Sequence, residues 1–380
     1  MNSRVWIVAA RRTPVAPVNG ALRELGVADL AAPVIRQLLQ DAAIGADQID
    51  QVILGNALYG GGNPARLVAL AAGLPESLSA LTLDTQCCSG LDALRLGAQS
   101  IEAGQADLVL AGGVESTSRR PIRQHRPTGT DGIPVTYERP PFTPWLERDP
   151  DMADSAARLA AEEGIDLNTQ NDWACRSHRK ALAAKDRLAA ECVPLGGLSV
   201  DAATRPMSPA LAARTPVIAH CGEGRVNVAG TALQADAAAV VLLVSDEARR
   251  RLSPSLPAIR WRAGLAGGSL ADSPPRAMVP VVQQLLAREG LSPTDLHCAE
   301  IMEAFAVQAI SNCRDLHLPD ECINRGGGAL ARGHPIGASG AILAVRAFHE
   351  LSTVPVGARA LLAIAAAGGL ASAALLAREQ

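Results

Sequence analysis

Short runs in which nearly every residue is apolar alternate along this chain with segments whose apolar residues recur every three to four positions. "RVWIVAA" from Arg4, "QVILGNALY" from Gln51, "ADLVLAGG" from Ala106 and "AAVVLLVS" from Ala238 read as buried strands. "LAAPVIRQLLQDA" from Leu30 and "GLDALRLGAQSIEAG" from Gly90 carry the helical period. Alternation of this kind predicts a layered α/β fold.

The pattern also repeats. "PVIRQLLQDAAIGADQID" from Pro33 returns as "PVVQQLLAREGLSPTDLH" from Pro280, an offset of 247 residues. "ADLVLAGGVES" around Gly112-Gly113 is echoed by "ALLAIAAAGGLAS" around Gly368-Gly369, at an offset of 256. Two copies at so long a period indicate a duplicated domain and not a solenoid. The first offset carries Cys87 onto His334, in "GGGALARGHPIGASGA", so the two residues are expected on equivalent strand-to-helix turns facing each other across a pseudo-dyad.

Between the halves the pattern breaks. Residues 119–150 are rich in Pro and Arg and lack periodicity, 152–190 read as helices, and strand character returns at about 225. The expected domains are therefore 1–118 with about 225–262, an inserted loop domain at 119–224, and 263–380.

Composition narrows the class. With 48% apolar residues the 380-residue chain can bury real cores, and a net charge of −3 gives no electrostatic case for nucleic acid or a membrane surface. The apolar stretch 360–377 is split by Gly368-Gly369 and reads as two buried segments around a turn, not a membrane span. Eight cysteines form neither a disulfide framework nor a paired zinc spacing, and no signal-peptide pattern opens the chain, so the cytoplasm is the expected compartment.

The vicinal pair in "DTQCCSGLDAL" carries the candidate chemistry. A thiol at the start of the helix beginning at Ser89-Gly90 would feel the helix dipole and unpaired N–H groups, which favour thiolate and can hold an oxyanion. Cys87 is on this reading expected to be alkylated faster than the other seven cysteines.

That segment resembles the nucleophile block of the thiolase family. "AGGVESTS" (111–118), "EIMEAFA" (300–306) and "GGALARGHPIGASG" (327–340) resemble three further blocks of that family; "VWIVAARRTPV", "ILGNALYGGGNPARLVAL" and "RSHRKA" (176–181) extend the likeness over essentially the entire chain. The resemblance implies a five-layer α/β/α/β/α fold built from two duplicated halves with an inserted loop domain for coenzyme A. It implies a homodimer or homotetramer, with acyl-coenzyme A as substrate and no permanently bound cofactor or metal. Cys87 would accept the acyl group and His334 would take its proton, the logic by which a Cys–His pair makes a covalent intermediate.

Three positions depart from that pattern. Met302 stands where the family has an asparagine that holds an oxyanion-hole water, and a thioether cannot donate. Ala365, or Ala363 in a shifted register, stands where the family has its second catalytic cysteine, and no cysteine follows Cys322. "GTALQAD" (230–236) lacks the serine found near the coenzyme. Loss of the general base and of one oxyanion donor impairs carbon–carbon bond formation but spares acylation of Cys87. His297, Cys298, Glu300 and Glu303 lie near the altered block as candidates to compensate. Arg119, Arg120, Arg123, His125 and Arg126 open the inserted domain, where the resemblance implies binding of coenzyme phosphates, and Arg332 is a candidate to read an anion near His334. The expected activity is acyl transfer through acyl-Cys87, to a second acyl-CoA or to an amine, alcohol or water. A decarboxylative condensing enzyme and a noncatalytic subunit of a heteromeric complex, with a small partner protein, are the alternatives.

Overall fold

The computed structural model describes residues 3–129 and 132–379. The first half runs β1 (Val5–Arg12), β2 (Ala16–Pro17), α1 (Val27–Ala42), β3 (Gln51–Gly55), α2 (Pro64–Ala71), β4 (Ser79–Leu83), α3 (Ser89–Glu102) and β5 (Leu108–Ser116). An excursion follows: β6 (Arg123–His125), β7 (Val135–Tyr137), α4 (Met152–Glu163), α5 (Leu167–Ala183), α6 (Lys185–Glu191), α7 (Pro209–Ala213), β8 (Val217–Cys221) and β9 (Gly224–Asn227). The chain then runs through β10 (Ala235–Ser245), α8 (Asp246–Arg251), β11 (Ile259–Gly268), α9 (Met278–Glu289), β12 (Cys298–Ile301) and α10 (Ala306–Asp315). It ends with α11 (Ala329–Arg332), α12 (Ile336–Ser352), β13 (Arg359–Ala366) and β14 (Leu370–Ala377).

The principal strands lie in the order β12-β13-β14-β11-β1-β10-β5-β3-β4. β1 and β11 pair over only three residues, Val5 to Ile7 against Trp261 to Ile259, and this short seam joins the sheets of the two halves. Helices α3 and α12 pack side by side between those sheets, α1 and α2 cover the outer face of the first, and α9 covers the outer face of the second. The result is five layers.

Alternation along the strands explains the layering. In β10, Ala235, Ala237, Ala239, Val241 and Leu243 face the middle layer, while Ala238, Val240, Leu242 and Val244 face α1. A strand buried on both faces reads as a continuous apolar run, which is why "AAVVLLVS" shows no polar alternation. The repeated helices from Pro33 and Pro280 are the outer-layer helices α1 and α9.

The main sheet resumes at Ala235, later than the strand character at about 225 suggests. Residues 224–227 instead pair with β8 in a two-stranded hairpin that packs on α4. Among the described residues no helix is long and apolar enough to cross a membrane.

Candidate active site

Cys87 sits in the single turn Gln86–Cys88 that leads into α3, and His334 sits two residues before α12. Since those helices are neighbours in the middle layer, the two turns meet: His334 Nε2 lies 3.3 Å from Cys87 Sγ. The Cys87 turn is tight. Gln86 adopts a left-handed φ of 56°, and the Ser89 hydroxyl accepts the Thr85 N–H at 2.9 Å and donates to the Gln86 carbonyl at 2.6 Å. The end of β3 presses close behind it, because a Cβ on Gly55 would fall 2.5 Å from the Ser89 carbonyl carbon. Glycine is required there.

The protonation pattern of the pair follows from its partners. The Ser339 hydroxyl donates to the Pro335 carbonyl at 2.9 Å and lies 2.6 Å from His334 Nδ1. With its one hydrogen given to Pro335, Ser339 accepts from Nδ1–H, which leaves Nε2 as the lone pair facing the thiol. Burial lowers the His334 pKa to about 4, so the imidazole is neutral at ordinary pH. The His334 backbone N–H donates to the Leu233 carbonyl at 2.7 Å, which fixes the turn.

Burial also pushes the Cys87 thiol up to about 12, and the nearby carboxylates of Glu115 and Asp84 add to that rise. The backbone N–H groups of Cys87 and Ala367, close to the sulfur, act in the opposite sense. Desolvation thus acts against the stabilisation expected from the helix start and outweighs the two N–H groups. Cys221 is exposed, Cys87 is half-buried and the other six cysteines are buried.

Two backbone N–H groups beside a nucleophilic sulfur are candidate donors for an oxyanion hole. The Ala367 donor comes from the turn between β13 and β14, where Gly368 and Gly369 have φ of 73° and 75°. Ala365 ends two residues before that donor and keeps some exposed surface, while Ala363 is fully buried in the core. Both alanines pack against the cluster under α9, on the opposite face of β13 from Leu362, Ile364 and Ala366. Met302 is 2% exposed and packs in the middle-layer core, its backbone N–H on the Ala363 carbonyl at 2.9 Å.

The compensating candidates lie elsewhere. Glu303 accepts from Trp173 Nε1 (3.1 Å), Ser177 Oγ (2.8 Å), Asn324 Nδ2 (2.9 Å) and the Leu330 N–H (3.3 Å). Its lone pairs are spent tying α5 to β12 and α11, so it is no free base. Cys298 begins β12 and is fully buried, four residues and so about 13 Å along the strand from Met302. His297 contacts the Arg325 guanidinium, and burial lowers its pKa. Glu300 is buried with neither carboxylate oxygen hydrogen-bonded, and burial raises its pKa to about 8.

Arg332 is buried, donates to the Gly327 carbonyl, and feels the charges of Asp201, Arg12 and Glu300. It reads no anion beside His334. The arginines that open the excursion do not form one cluster. Arg119 lines a cavity of about 330 Å³ with Asn56, Gly60–Gly62 and Pro121. Arg120 bonds Gln234 and Glu138, each at 3.1 Å; Arg123 reaches the Ala57 carbonyl at 3.5 Å; Arg126 is exposed. His125 stacks on Tyr137 with centroids 4.2 Å apart. Ser339, Ala367 and Glu115 escaped the sequence reading; Ser339 lies five residues beyond His334, in the first turn of α12.

Comparison with known proteins now decides the family. The thiolase N-terminal domain model matches residues 5–247 and the thiolase C-terminal domain model residues 262–378. The chain belongs to the thiolase family. YhfS of Bacillus subtilis, provisionally named an acetyl-CoA C-acetyltransferase, is 39% identical over 374 residues, covering 97% of this chain and 98% of that relative. VraB of Staphylococcus epidermidis, named in the same provisional way, is 34% identical over 387 residues, with 98% of each chain covered. Among solved structures, the Acat5 thiolase of Ascaris suum in complex with coenzyme A superposes with a TM-score of 0.89 at 29% identity, covering 99% of this chain and all of that one. Human mitochondrial 3-ketoacyl-CoA thiolase in complex with CoA gives the same TM-score at 27% identity over 100% and 98% of the chains. The protein is thus a thiolase-family acyltransferase.

Proposed function

We propose that this thiolase-family acyltransferase takes an acyl group from acyl-coenzyme A onto Cys87 and passes it to an amine, alcohol or water in preference to a second acyl-CoA. The observation that carries the reading is the Cys87–His334 pair at 3.3 Å in a chain that has alanine at both 363 and 365 and no cysteine after Cys322. In the first step His334 Nε2 removes the thiol proton as sulfur attacks the thioester carbonyl. The N–H groups of Cys87 and Ala367 take the developing oxyanion, and the departing coenzyme A thiolate recovers the proton from His334. A neutral imidazole with a free Nε2 lone pair suits this order of events, and the two N–H groups lie close to the attacking sulfur.

Carbon–carbon bond formation needs a further base for the α-proton of a second thioester. An alanine methyl supplies none, whereas a heteroatom nucleophile loses its own proton to His334 and needs no second base. The names of the bacterial relatives favour an acetyl donor, and the coenzyme A complexes of the structural neighbours favour coenzyme A as the carrier. We assign coenzyme A to the excursion of about 119–224. We further assign a homodimer formed through β4, the exposed end strand of the sheet, whose Leu81 faces outward. Intact-mass analysis after mixing with a panel of acyl-CoAs tests the first step, and discharge to added amines against acetoacetyl-CoA formation tests the second. Absence of any adduct at Cys87 refutes the reading; fast acetoacetyl-CoA formation restores an ordinary thiolase.

A further inference from the structure

Glu115, at the end of β5, is 1% exposed and lies where the two halves touch. Its Oε1 accepts from Asn56 Nδ2 (2.9 Å) and the Leu58 N–H (3.2 Å); its Oε2 accepts from the Ala57 N–H (3.1 Å) and the Gly337 N–H (2.8 Å). Three of these donors belong to the loop after β3 in the first half. The fourth belongs to the first turn of α12 in the second half, between His334 and Ser339. The contact is too close for side chains: a Cβ on Gly113 would lie 2.0 Å from the Gly337 carbonyl oxygen, and one on Gly337 would lie 2.7 Å from Asn56 Cα.

We propose that Glu115 is a positioning residue for acyl transfer, a buried clamp that holds the His334 turn of one half in register with the Cys87 turn of the other. This rests on the Cys87–His334 reading above. All four neighbours donate and none accepts, so the hydrogen bonds demand the carboxylate form, while burial works against it and raises the pKa to about 7. Above that pH the clamp is a fixed negative charge near the nucleophile. Other groups facing Cys87 are His334 and Asp84, and Arg123 acts on Asp84 in turn. A displacement near 1 Å at a reacting pair costs about 100-fold in rate, which sets the scale of the effect.

Reach and charge are separable. Glu115→Asp keeps the charge but falls short of Gly337; Glu115→Gln keeps the length but replaces one acceptor oxygen with a donor and removes the charge. Single-turnover acetylation by intact mass should slow by tenfold or more in both, with the circular dichroism of the wild type. The pH profile of Cys87 alkylation from pH 7.5 to 10.5, read by peptide mapping with exposed Cys221 as internal reference, should shift to lower pH only in Glu115→Gln. Asn56→Ala, which removes one donor and keeps the charge, serves if Glu115→Gln does not fold; it should slow acetylation several-fold with an unmoved profile. Wild-type acetylation in folded Glu115→Asp or Asn56→Ala, or an unmoved profile in folded Glu115→Gln, overturns the proposal. If wild-type enzyme forms no adduct, the functional reading fails, and the alkylation profile still tests the charge of Glu115.

Discussion

Returning a thiol to position 365 tests the proposed chemistry from the side of gain. Ala365 keeps some exposed surface at the end of β13, two residues before the Ala367 N–H that lies close to Cys87 Sγ. Ala365→Cys adds one sulfur atom at a partly exposed position, the one where the family resemblance implies the second thiol. A positioned general base is worth about 10²–10⁴ in rate, so acetoacetyl-CoA formation from acetyl-CoA should rise by that factor. Met302→Asn should add roughly 10²–10³ if the amide holds an oxyanion-hole water. The second change carries a structural cost that the first does not. Met302 is almost fully buried among apolar side chains, so the variant loses apolar burial and gains an amide, together about 2–5 kcal/mol of destabilisation. The assay is steady-state acetoacetyl-CoA production by the single and double variants, beside acetyl-Cys87 formation by intact mass and thermal unfolding. Unchanged condensation in a folded, normally acylated Ala365→Cys enzyme would refute the argument that the missing thiol limits this step.

Other consequences can be measured separately. Ser339→Ala should slow acylation of Cys87 by about 10–100-fold, because a buried Nδ1–H left unpaired costs about 1–3 kcal/mol and the favoured tautomer is lost; wild-type acylation kinetics in the folded variant would show the tautomer is set otherwise. Glu303→Gln should lower stability by about 2–4 kcal/mol, seen as a lower denaturation midpoint, because an amide nitrogen would face donors from Trp173, Ser177, Asn324 and Leu330. Glu300 has a folded-state pKa near 8, above its value in the unfolded chain, so its contribution is complete below the unfolded pKa and is lost as pH rises through about 8. Thermal scans between pH 5 and 8 should show the wild type losing up to a few kcal/mol relative to Glu300→Gln as pH rises, a difference that cancels the opposing rise from the buried histidines His178, His334 and His349; a pH-independent difference would place the titration elsewhere.

Much of the molecule was legible in order along the chain. The offset of 247 linking Pro33 to Pro280 also links Cys87 to His334, because duplicated halves place corresponding turns at corresponding helix starts. Apolar runs such as "AAVVLLVS" and the split at Gly368-Gly369 foretold doubly covered strands and a tight turn, both consequences of backbone periodicity and glycine's freedom at positive φ. What the chain order left undetermined was every property that depends on which atoms surround a group. The resting state of Cys87 followed local helix logic in the sequence, but burial, Glu115 from β5 and the neighbouring Asp84 act against it. Glu303 and Arg332 looked available for chemistry, yet their hydrogen bonds and charge neighbours come from α5, from the 324–330 turn and from Asp201, far away in sequence. A carboxyl group, a guanidinium or a thiol takes its charge state and its free lone pairs from solvent exclusion and through-space partners, and those are set only when the two halves and the excursion close around the middle layer.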